Sequence, residues 1–86
     1  MTTIFTKVNN NGYKFYKEGN HNEIHEAMND LRTRAQKKGF RESRTIGDEI
    51  GAYIIFAYGI STKVEVHICY NESETKEFIT KNKINK

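Results

Sequence analysis

Every arginine of this 86-residue chain, Arg32, Arg34, Arg41 and Arg44, lies within thirteen consecutive residues, whereas the ten lysines run from Lys7 to Lys86. Lysine supplies generic solubilising charge. Arginine presents a planar fork of five donors that grips phosphate or carboxylate bidentately and stacks on bases and aromatic rings. Adding Lys37 and Lys38 and subtracting Glu42 gives the stretch a charge of +5, against +3 for the whole chain, so the remainder is net acidic. A basic segment set in an acidic remainder points to an anionic partner, and RNA or DNA is the polyanion that suits it. Arg32, Arg34, Lys37, Lys38, Arg41 and Arg44 are therefore the candidate nucleic-acid-binding residues. The competing reading is a solvated helix end followed by an edge strand guarded by charge.

Other residues with chemical potential are sparser. His21 and His25 stand four apart, the spacing of a helical zinc pair, but no third strong ligand is marked and a polar helix start explains them, so no metal site is assigned. His25 or His67 is the candidate proton carrier if the chain is a small metal-independent nuclease. Neither has a marked partner, and His67, next to Glu65 on the outward side of its strand, reads as a surface residue. No catalytic residue and no cofactor are assigned. Tyr13, Phe15 and Tyr16, interleaved with Lys14 and Lys17, have the make-up of a base-stacking surface, although packing of a hairpin is the stronger reading. The lone Cys69 cannot form an internal disulfide, and it reads as a small packing residue in a reducing compartment. No glycine-rich loop has phosphate-binding spacing.

The elements that must position these residues follow from periodicity. Thr2 to Val8 and Tyr13 to Lys17 read as a hairpin, with Asn11-Gly12 suited to its turn and Glu18-Gly19-Asn20 ending the second strand. Asn20 and Glu23 have capping-box spacing, while Asn22 is a competing cap. Ile24, Ala27, Met28, Leu31 and Ala35 then make the apolar face of a helix from about Glu23 to Lys38, which Gly39 stops and onto which Phe40 folds back. Three strands follow, Phe40 to Ile46, Ile50 to Tyr58 and Lys63 to Tyr70, with a turn at Gly47-Asp48-Glu49. The middle one, apolar on both faces, is expected to be central and most buried. In the last, Val64, Val66, Ile68 and Tyr70 face the core while Lys63, Glu65, His67 and Cys69 lie nearer solvent. Within the third strand, strict alternation puts Arg44 and Arg41 on opposite sides, so Arg34, Lys37, Lys38 and Arg41 are the members expected to converge. Asn71 or Ser73 caps a short final helix carrying Phe78 and Ile79, with a polar tail fraying from about Asn82 to Lys86.

The order ββαβββα makes one α+β domain spanning residues 1–86, an antiparallel sheet of about five strands with one main helix packed on it. A chain of this length leaves little room for a buried catalytic cleft. With 36% apolar and 29% charged residues it has the composition of a soluble globular protein, and no apolar run could span a bilayer. A secretion signal is lacking too, so a cytoplasmic protein without a membrane partner is expected. Edge-to-edge pairing into a homodimer is open to such a sheet.

From Asn22 onward the order αβββα is similar to a double-stranded-RNA-binding domain, but that family's lysine-rich final helix start is replaced here by the acidic Asn71–Glu77. The compact, proline-free, Lys/Asn/Ile-rich chain as a whole resembles the small early proteins of T4-like bacteriophages, and among them the ToxN-inhibitor (TifA-type) antitoxin-like proteins. The segment that ties it there runs from Leu31 to Arg41. The resemblance implies a non-enzymatic inhibitor that neutralises a host endoribonuclease toxin of a toxin-antitoxin system, with RNA and the host toxin as partners. A purely protein-binding inhibitor or adaptor is the alternative, and a small nuclease the second.

Overall fold

The computed structural model describes residues 1–48 and 51–84, and only the backbone of residues 44–46 and 48. Glu49 in the expected turn, Ile50 at the expected strand start, the side chain of Arg44, and residues 85 and 86 of the expected tail lie outside the described set.

The elements run β1 (Thr2–Val8), β2 (Tyr13–Gly19), α1 (His21–Lys37), β3 (Arg41–Asp48), β4 (Gly51–Tyr58), β5 (Thr62–Cys69) and α2 (Glu72–Asn82). This is the expected ββαβββα order, and the strands form one five-stranded sheet, β2-β1-β5-β4-β3, antiparallel throughout.

Local chemistry accounts for the helix ends. The Glu23 amide donates to Asn20 Oδ1 (2.9 Å) while the Asn20 amide donates to Glu23 Oε1 (3.1 Å), so two orphan donors of α1 are satisfied reciprocally. At the other end Gly39 takes a φ of +89°, its amide donates to the Gln36 carbonyl, and the Phe40 amide donates to the Ala35 carbonyl (2.9 Å). That is a Schellman stop, and it turns Phe40 onto the core beside Ala35. Asn71 caps α2 by accepting from the Glu74 amide (2.8 Å).

Two cores result, one on each face of the sheet. Ile4, Ile54, Phe56, Val66 and Ile68 meet Ile24 and Met28 of α1 on one side. On the other, Phe5 and Cys69 meet Phe78 and Ile84 at α2. Covering β5 from both sides makes it the central strand, with Glu65 through Cys69 all buried. This corrects the expectation for β4, which lies one place from the edge, and for Glu65, His67 and Cys69, which face α2 and not solvent. Alternation along β5 could not reveal a second cover contributed by a helix later in the chain.

Smaller corrections have local causes. β2 continues through Gly19, because Glu18 and Gly19 pair with Thr3 and Thr2. β3 begins after Phe40, which belongs to the helix stop, and continues through the Gly47-Asp48 of the expected turn. The described part of the expected tail is ordered by its own contacts: Lys83 caps α2 in the left-handed region, the Ile84 amide donates to the Ile79 carbonyl (3.0 Å), and Ile84 is buried against the second core.

Candidate nucleic-acid interface

The arginine stretch crosses the molecule and does not gather on one surface. Arg32 leans toward β3, where its Nε donates to Glu42 Oε1 at 2.7 Å. Arg34, two residues on and about half a helical turn round, reaches the opposite way, toward edge strand β2. Its Nη2 donates to the Tyr16 hydroxyl, and the same nitrogen stands 3.1 Å from Asp30 Oδ2. Lys37 ends α1 exposed, and Lys38 is its C-cap.

Arg34 and Lys38 do converge. Together with Tyr16 they stand over a groove of about 250 Å³ whose apolar walls include Leu31, Ala35, Phe40 and Val64. The groove exists because Gly39 swings Phe40 under the end of α1 while β1 and β5 present Val8 and Val64 at the same end of the sheet. A β-bulge contributes as well. The register of β1 on β2 pairs Ile4 with Lys17 and Phe5 with Phe15, leaving Tyr16 as the extra residue. The slip puts Tyr16 under α1 and carries Lys17 to the α1 face beside it. Lys14, opposite Thr6 of the groove wall, extends the basic character along the β2 edge. A long cleft with cations above, a tyrosine at its rim and an apolar bed offers phosphate contacts and a stacking surface side by side.

Arg41 is not part of this groove. It pairs with Ala57, which pairs in turn with Lys63, on the face turned away from α1. The expected convergence of Arg41 with Arg34 therefore fails, since the sheet stands between them. A second bulge lies at Ser43, since Glu42 pairs with Phe56 and Arg44 with Ile55. Ser43 Oγ donates to the Ile55 carbonyl (3.3 Å) and fills the irregularity.

The histidines divide too. His21 opens α1 and His25 lies one turn later, both exposed. Among the described residues no group of three or more His, Cys, Asp or Glu is placed to hold a metal. His67 is 3% exposed, with its ring stacked on Phe78 at 4.0 Å and 18°. Its expected surface position is thus overturned by α2, whose Phe78 covers it. Tyr16 belongs in the sequence to a hairpin set with Lys14 and Lys17, but its contact with Arg34 depends on the path of α1 over β2. No helix among the described residues is long and apolar enough to cross a membrane. In comparison with known proteins, the chain matches no family model, no curated protein and no solved structure.

Proposed function

We propose that this protein is a non-enzymatic RNA-binding inhibitor that grips RNA along the groove between α1 and β2. The observation that carries the reading is the convergence of Arg34 and Lys38 with Tyr16 over one apolar groove. Arg34 keeps much of its side chain exposed although it touches both Tyr16 and Asp30. Surface ion pairs of that kind are worth little, so exchanging the Asp30 carboxylate for a phosphate costs little. Lys37, Lys14 and Lys17 flank the groove and add sequence-independent attraction. The resemblance to the phage antitoxin-like proteins supplies the biological setting, in which a cytoplasmic inhibitor meets a host endoribonuclease toxin together with its RNA.

Gel-shift titration of structured RNA with wild type and with the double variant Arg34→Ala/Lys38→Ala tests the reading. Affinity is expected to fall at least about tenfold, because two charged contacts are removed, while the melting temperature changes little for two exposed side chains. Unchanged affinity would end it. The apolar bed of the same groove favours a second reading, a protein-binding inhibitor. Pull-down before and after ribonuclease treatment separates the two: a host protein retained after treatment selects the second, and one released by it selects the first.

A further inference from the structure

The face of the sheet turned away from α1 is covered only in part. α2 rests on β1 and β5 and leaves Tyr53, Ile55 and Ala57 of β4 half-buried. Where the covered and open halves meet lies a cavity of about 300 Å³, at the small end of ligand pockets, which run from roughly 300 to 1,000 Å³. The geometry points to a base-binding pocket: it takes one unstacked base of a single-stranded RNA, with the neighbouring phosphates lying along the open sheet.

Rings wall the cavity. Tyr13 and Tyr53 stand on the two sides of β5, and the floor is the His67 ring, itself stacked on Phe78. Tyr13 also packs edge-on to Phe78 at 4.9 Å, which holds its ring in place. Aromatic walls held in this way accept any base face, and each stack contributes about 1–3 kcal/mol. Polar groups reach the same space. Glu65, 8% exposed, is held by Lys7 at 3.2 Å and Lys63 at 3.8 Å, so a buried acceptor is oriented within reach of base amino groups. Asn82 adds an amide, and its Nδ2 already donates to the Phe78 carbonyl (3.0 Å), leaving its oxygen to accept.

Charge around the cavity has the sign of a phosphate track. Lys7 and Lys81 line the cavity, and Lys63 and Arg41 share the open face beside it. Lys7 also lies over the Tyr13 ring at 4.8 Å, so one cation joins the stacking wall to the backbone track. A duplex cannot use such a site. Its bases are paired and stacked, and the A-form deep groove admits no side chains, whereas splayed bases of single strands are what aromatic sheet surfaces read.

The inference rests on RNA being the ligand and adds strandedness and a second contact surface. Fluorescence anisotropy with a labelled single-stranded oligoribonucleotide, and with the same strand annealed to its complement, tests both on wild type, Tyr53→Ala and Lys63→Glu. Tyr53→Ala is expected to weaken single-strand binding about 5- to 150-fold, the loss of one stack, and to leave duplex binding within about twofold. Lys63→Glu, at an exposed position where Lys7 remains as the closer partner of Glu65, is expected to weaken single-strand binding as well, and it keeps the test informative if Tyr53→Ala does not fold. Wild-type binding that neither variant changes would overturn the base pocket alone, as would equal loss on single strand and duplex. Wild type that binds neither RNA would overturn the RNA reading itself.

Discussion

Arg32 and Arg34 show how little a residue type settles without its direction. Both are arginines of one helix, two positions apart, yet one is tied to Glu42 of β3 and the other hangs over the β2 groove. The Arg32 pair is half-exposed and has no place in either candidate surface, so it reads as a clasp between α1 and β3. Arg32→Ala is therefore expected to leave RNA affinity within about twofold and to cost up to about 1 kcal/mol of stability, the range of such pairs. Arg34→Ala is expected to do the reverse. Measuring urea midpoints and RNA titrations on the same two proteins checks the pair of expectations, and a loss of RNA binding in Arg32→Ala would put the clasp into the interface. His67 carries the same lesson from the other side: its type and its alternation both suggested solvent, and only the position of Phe78 says otherwise.

At the level of elements, the expectations that hold are those set by short-range chemistry. Asn20 and Glu23 closed their capping box, Gly39 stopped α1, Asn71 capped α2, and Ile24 and Met28 faced the sheet, because each depends on residues within about one turn. Asn20→Ala is expected to cost about 1 kcal/mol, read as a lower thermal midpoint. What could not be read were the two bulges, at Tyr16 and Ser43, since a bulge is fixed by the partner strand's register and not by the bulged strand alone. The first slip moves a basic residue, carrying Lys17 to the α1 face. The start of β4 shows the same dependence on a neighbour. Gly51 holds a φ of +130°, and a Cβ there would stand 1.9 Å from the Ile68 carbonyl oxygen of β5. Gly51→Ala is accordingly expected to lose about 3 kcal/mol or more, since backbone cannot yield as a side chain does, and chemical denaturation would measure it.

For the whole molecule, the sheet divides charge between two faces. On the α1 side Arg34 and Lys38 work with the β2 lysines; on the other, Lys7, Lys63, Lys81 and Arg41 surround the tyrosine-walled cavity. The two surfaces adjoin at one end of the sheet, where Phe40 and Val64 of the groove are chain neighbours of Arg41 and Lys63 on the open face. A flexible strand can turn that end and touch both, while a rigid duplex engages one. Salt dependence reads the difference, because each phosphate neutralised on a single strand contributes about 0.7 to the slope of log affinity against log salt, and on a duplex about 0.9. A single strand that uses both faces meets about eight cations, for a slope of about −5 to −6, against about −3 to −4 for a duplex held by the groove alone. Lys63→Glu is expected to shallow the single-strand slope by about one and leave the duplex slope unchanged. A single-strand slope shallower than the duplex slope in wild type would mean that only one face is used, and which face it is would follow from whether Arg34→Ala or Lys63→Glu flattens it.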